Sequence, residues 1–147
     1  MPIGISLAMM LSCSPDLGPT EETRVVFDGQ SQTINGPVTC TSFPDGELVI
    51  LATGASHNTV RVLLRRENRI VVEKVGIRIG NLSGYTDDVG DIWAIKVDGA
   101  YDINGRMPPN AGENGWHDFE VDVTCRYETP STNKRGPFPP PPILRRW

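Results

Sequence analysis

The chain has 147 residues, of which 38% are hydrophobic and 22% charged, so it is long enough for one domain with a real core. No apolar run approaches the roughly 20 residues a spanning helix needs, so a transmembrane helix is not expected. The net charge of −4 is uneven: Lys134, Arg135, Arg145 and Arg146 lie in an acid-free end, leaving 10 bases against 18 acids before Thr129. That acidic body disfavours nucleic acid, because phosphate contact requires a basic face.

In chain order, residues 3–11, IGISLAMML, form an apolar run of signal-peptide core length, without the usual positive residues ahead of it. Either the first methionine lies inside a longer signal, or the signal is degenerate. Residues 14–22, SPDLGPTEE, read as a polar, proline-broken tether. From there to about Tyr127 the pattern is strand after strand. TRVVF meets Asp28-Gly29, a hairpin pair, and QTINGPVTCTS follows. The PDG at 44–46 is a turn before the strand ELVILA. In NTVRVLLRR the period of two puts Val60, Val62 and Leu64 on one face and Arg61, Leu63 and Arg65 on the other. Ser56 is a candidate cap for a short helix before it. RIVVEKVGIRI continues in β-branched residues. IWAIKVDGAYDI sets Ile92, Ala94 and Lys96 opposite Trp93, Ile95 and Val97, then meets the hairpin pair Asp98-Gly99. MPPNAGENG is a loop. WHDFEVDVTCRY alternates cleanly, with His117, Phe119, Val121, Val123 and Cys125 on one face.

Short strands at this spacing, with Gly and Pro turns and no long helix, predict an all-β fold, an antiparallel β-sandwich or open barrel. Cys40 lies on an early strand and Cys125 on the apolar face of the last, 85 residues apart. An exported chain favours a disulfide between them, worth about 4.6 kcal/mol by loop entropy. The alternative is two buried free thiols. The end of the chain, TPSTNKRGPFPPPPILRRW, reads as a disordered tail with a polyproline II run. A PxxP ligand role and a weak contact of its cationic end with an anionic surface are secondary readings.

Catalytic signals are thin. Only His57 and His117 exist to serve a nucleophile, and neither a GxSxG elbow nor an HExxH helix is present. Asp87, Asp88 and Asp91 lack the spacing of an EF-hand and read as a solvated acidic turn. No CxxC or Cys/His cluster suggests a metal, and no cofactor is expected. The glycines of GIRIGNLSG read as turns and bulges, because no helix follows to meet a phosphate.

The third cysteine, Cys13, is different. MLSC has the form of a lipobox: an apolar residue, one more residue, a small residue, then cysteine. In that chemistry the thiol takes a diacylglyceryl group, a peptidase cuts before it, and the new amine can be acylated. Two or three chains give a stable anchor where one does not. With an apolar run before it and a tether after it, Cys13 reads as the future N-terminus.

RVVFDGQSQTINGPVTCTS, VEKVGIRIGNLSGYT and HDFEVDVTC then occur in an order and spacing that resemble the LpqH-type mycobacterial lipoprotein antigens, from about Arg24 to Cys125. The resemblance implies a lipidated cysteine at Cys13 and a disulfide between Cys40 and Cys125. It also implies that stimulation of host receptors would belong to acylated Cys13, not to the β domain. The tether holds only Thr20 and Thr23, so the family's heavy O-glycosylation is not expected here.

The expected organisation is a signal over 1–12, a lipidated cysteine and tether over 13–22, a β ectodomain over 23–128 and a Pro-rich disordered tail over 129–147. The expected function is a lipid-anchored, extracytoplasmic lipoprotein of the cell envelope with a non-enzymatic structural, antigenic or adhesive role. Its expected partners are the membrane through the anchor, and host receptors or envelope lipids, with no nucleic acid. The alternative is a carrier of lipid or a small apolar ligand in a cleft between the sheets, with Trp93, Tyr101 and Trp116 as candidate liners, although core packing is the favoured job for each.

Overall fold

The computed structural model describes residues 21–132. Within them the chain forms β1 (Glu21–Phe27), β2 (Gln30–Gly36), β3 (Val38–Ser42), β4 (Glu47–Thr53), β5 (Thr59–Arg66), β6 (Ile70–Ile79), β7 (Leu82–Thr86), β8 (Ile92–Val97), β9 (Ala100–Met107), β10 (His117–Thr124) and β11 (Glu128–Pro130). They make two sheets and no closed barrel. One runs β2-β1-β10-β9-β8 and the other β11-β3-β4-β5-β6-β7. All pairs are antiparallel except β11 with β3. The all-β sandwich expected from the period-two pattern is the observed fold.

The turns form where the chain carries residues that tolerate positive φ. Asp28 and Gly29 (φ 51° and 80°) join β1 to β2, and Asp98 (φ 54°) opens the turn joining β8 to β9. Gly46 (φ 90°) closes the turn before β4. Alternation then fills the space between the sheets. Val60, Val62 and Leu64 of β5 are fully buried, and so are Ile103 of β9 and Val121 of β10. Burying a Val, Leu or Ile side chain contributes about 1.5–3 kcal/mol, so such layers supply most of the drive to fold.

Four details depart from the sequence reading. QTINGPVTCTS does not run as one strand: it breaks at Pro37, and the chain crosses from one sheet to the other there. Proline cannot donate to a ladder, and Gly36 has no side chain to hold the corner open. Ser56 does not cap a helix. It sits inside a 3-10 turn, Ala55–His57, at φ 58°. Arg61, on the outer face of β5, is 5% exposed. Its register partner on β6 is Gly76, which leaves room for the guanidinium stem to lie against the sheet. Burial lowers its pKa. Finally, the strands run from Glu21 to Pro130, so Glu21 and Glu22 belong to β1, and Thr129 and Pro130 pair with Thr41 and Ser42. Proline is tolerated in β11 because that strand is a sheet edge. A two-point pair, Arg66 to Glu128 at 2.7 and 2.9 Å, ties β11 to β5.

Cys40 and Cys125 form a disulfide, with Cα atoms 5.9 Å apart. It joins β3 of one sheet to the end of β10 in the other. Cys13, the signal, most of the tether and the Pro-rich run after Thr132 lie outside the described residues.

Candidate functional site

β10 delivers His117 to the end of the sandwich, on the same face as Phe119, Val121 and Val123, as the alternation predicts. The imidazole stacks on Phe27, with centroids 4.9 Å apart. Its Nδ1 meets Asp28 Oδ2 at 2.6 Å and its Nε2 meets Glu113 Oε1 at 2.9 Å. Asp28 is held in place by the hairpin it opens, its Oδ1 accepting from the Asp118 N–H at 3.2 Å. Glu113 is fixed by the Asn110 N–H, which donates to the same carboxylate at 2.8 Å. Asn110 in turn donates from Nδ2 to the Ser83 carbonyl at 2.7 Å.

Desolvation works against the imidazolium, but hydrogen bonds and charge attraction from Asp28 and Glu113 outweigh it, so the His117 pKa is raised above its ordinary 6.5. Glu113 moves the other way, lowered from 4.5 first by its bond to His117 and then by the Asn110 amide. In the protonated ring both nitrogens donate, one to each carboxylate, and no lone pair is left to offer. In that form the ring is not a general base. It acts as a clamp, tying the loop before β10 to the β1–β2 hairpin.

The clamp predicts a pH dependence. Because the folded pKa of His117 lies above 6.5, its contribution is complete below 6.5 and is lost as pH rises through the folded value. The Glu113 contribution is present above 4.5 and is lost as pH falls through its lowered value. The difference in thermal midpoint between the wild type and His117→Gln should therefore be greatest between pH 4.5 and 6.5 and shrink as pH rises through the raised His117 value. A difference constant through that rise would remove the clamp as a stabilising element.

The other sequence candidates do not assemble a reactive centre. His57 is exposed on the 3-10 turn between β4 and β5, at φ 63°. Asp88 caps a second 3-10 turn, Val89–Asp91, by accepting from the Gly90 N–H at 3.0 Å. Asp91 pairs with Arg106 at 3.4 Å. These contacts fit the acidic turn rather than a calcium loop. Of the three aromatic residues expected to pack in the core, or else to line a carrier cleft, only Tyr101 is in the core, and the three do not converge. Tyr101 is 1% exposed in the core, whereas Trp93 and Trp116 are exposed, at 58% and 51%. Arg106 lies over the Trp116 ring, 4.8 Å from its centroid, outside the sandwich.

Two groupings escaped the sequence. Asp28 and Glu113 gave no signal as partners of His117, since one reads as a turn residue and the other as loop. Asp102, Glu120 and Asp122 project from the outer face of β9 and β10, with carboxylate oxygens within 4.8 Å of one another. Desolvation first, then repulsion from Asp102 and Glu120, raises the Asp122 pKa. Arg24, opposite Asp122 on β1, relieves part of that charge. Three carboxylates are the donor type of a hard cation site. The period-two spacing of 120 and 122 announces the shared face, but the register with Asp102 does not follow from it.

The Mycobacterium 19 kDa lipoprotein antigen family model matches residues 17–125, from ahead of β1 to the second cysteine of the disulfide. The chain belongs to this family. It is also 32% identical over 113 residues to lipoprotein LpqH of Mycobacterium avium, an alignment covering 70% of this chain and 68% of that protein. The family's matched region contains both sheets up to Cys125, while β11 and the Pro-rich run fall beyond it. The resemblance of the three sequence blocks to the LpqH-type antigens is thus matched over the whole stretch from Arg24 to Cys125.

Proposed function

We propose that this chain is a non-enzymatic lipoprotein of the cell envelope, anchored through acylated Cys13 and presenting its β-sandwich on the extracytoplasmic side in a structural, antigenic or adhesive role. The family match over residues 17–125 carries this reading, since the family is that of a lipoprotein antigen. The sandwich supports it. The best-formed polar cluster, around His117, spends both ring nitrogens on carboxylates and is built to hold a loop. The disulfide between the sheets suits an oxidising compartment. Host receptors would read the acylated terminus, and envelope lipids or surface partners would meet the domain.

Fractionation of envelopes tests the anchor. The wild-type chain should sediment with membranes and require detergent for release, and Cys13→Ala should appear almost wholly in the soluble extracytoplasmic fraction. Equal partition of the two chains would sink the anchoring role of Cys13.

A further inference from the structure

The geometry of β8 points to a second copy of this chain as its partner: we propose that two molecules pair antiparallel along β8, making one continuous ten-stranded sheet. β8 ends its sheet, so one side of its backbone has no hydrogen-bonded strand. The two-residue turn at Asp98-Gly99 makes Val97 and Ala100 a hydrogen-bonded pair, and in register Ile95 and Trp93 also turn their backbone groups toward β9. The N–H and C=O groups of Ala94 and Lys96 then face the free edge.

The side chains on this strand are inverted relative to an ordinary surface strand. Ile92 faces the core at 7% exposure, and the outward residues are Trp93, Ile95 and Val97, at 58%, 62% and 66%. An edge of this kind is normally guarded by charge, proline or a bulge. Here the register with β9 is unbroken from Ile92 to Val97. β8 carries one charged residue, Lys96, which is exposed on the face opposite Trp93, Ile95 and Val97, with its ammonium 5.6 Å from the Tyr101 ring centroid. The three other sheet edges differ: β7 is five residues long and leaves only Ser83 exposed. β2 shows Gln30, Ser31, Gln32 and Thr33 to solvent, and β11 is three residues long and contains Pro130.

The stripe is self-complementary. A two-fold axis beside Ile95 opposes it to the second copy's Ile95, and opposes Trp93 to the second copy's Val97. These fall at the closely spaced, non-hydrogen-bonded positions, where aromatic and β-branched pairs gain most. Ala94 and the second copy's Lys96 then exchange the edge hydrogen bonds. The chain's own Pro-rich run is a poorer occupant, because Pro139 to Pro142 have no N–H to give a ladder.

Sedimentation equilibrium of the full chain carrying Cys13→Ser, which removes acyl groups and intermolecular disulfides, tests the pairing. A reversible dimer is expected, weakened about tenfold or more by Ile95→Lys and likewise by Val97→Lys. Both sites are more than half exposed, and circular dichroism should show the fold intact. In the dimer the Ala94 and Lys96 amides should gain hydrogen-exchange protection that disappears on dilution. A monomer mass up to about 1 mM protein would overturn the proposal. So would a dimer indifferent to both substitutions, or a monomer whose Trp93 fluorescence changes only when residues 133–147 are removed.

Discussion

Replacing both Cys40 and Cys125 by alanine should lower the free energy of unfolding by about 4.6 kcal/mol, from the entropy of a closed 85-residue loop. For a domain of this size that corresponds to a fall of roughly 20 °C in thermal midpoint. The bridge is the covalent link between the two sheets, from β3 in one to the end of β10 in the other. Both cysteines are buried, at 2% and 8% exposure, so alanine keeps the site apolar and removes little volume. Without the bridge, the denatured chain regains its freedom, while the native packing is almost unchanged. Total stabilities of about 5–15 kcal/mol make this loss a large share of the whole. Urea unfolding of the two chains measures it. A loss below about 1 kcal/mol would assign closure of the sandwich to packing alone.

The second large effect is expected at the corner where the chain changes sheets. A Cβ at Gly36 would overlap the backbone carbonyl of Thr53, and neither partner is a flexible side chain. The approach is fixed by the Thr53 N–H donating to the Pro37 carbonyl at 3.2 Å, and by Gly36 pairing with Glu21 of β1. Gly36→Ala must therefore push β2 away from β4, at a cost of about 3 kcal/mol. Gly115→Ala is the matched control, because no atom lies within 4 Å of the added carbon, and its effect should stay within about 0.5 kcal/mol. Equal stability of the two variants would mean that the corner relaxes freely.

The strands of the core were legible because their chemistry is local. Val60, Val62 and Leu64, or Phe119, Val121 and Val123, alternate with polar residues, and only one face of such a strand can be buried without leaving charge in the core. The hairpin pairs at 28–29 and 98–99 were legible for the same reason: positive φ selects Asp and Gly. The disulfide was legible only in part: Cys125 lies on an apolar strand face, but its pairing with Cys40, rather than two buried thiols, rested on export and on the family resemblance. What was hidden depends on partners distant in sequence. His117 meets Asp28 across 89 residues, and nothing in either neighbourhood announces the other. β11 takes its place from Arg66 and β3, not from its own composition. β8 resisted for another reason. Both of its faces are mostly apolar, so alternation could not say that Trp93, Ile95 and Val97 point outward.

The most direct measurement is the intact mass of the native protein extracted from envelope membranes without reducing agent. A species that begins at Cys13, is heavier by two or three acyl chains, and is lighter by the two hydrogens of the Cys40–Cys125 bridge, is the expected result. A mass equal to the unmodified chain with three free thiols would contradict both the anchor and the exported sandwich.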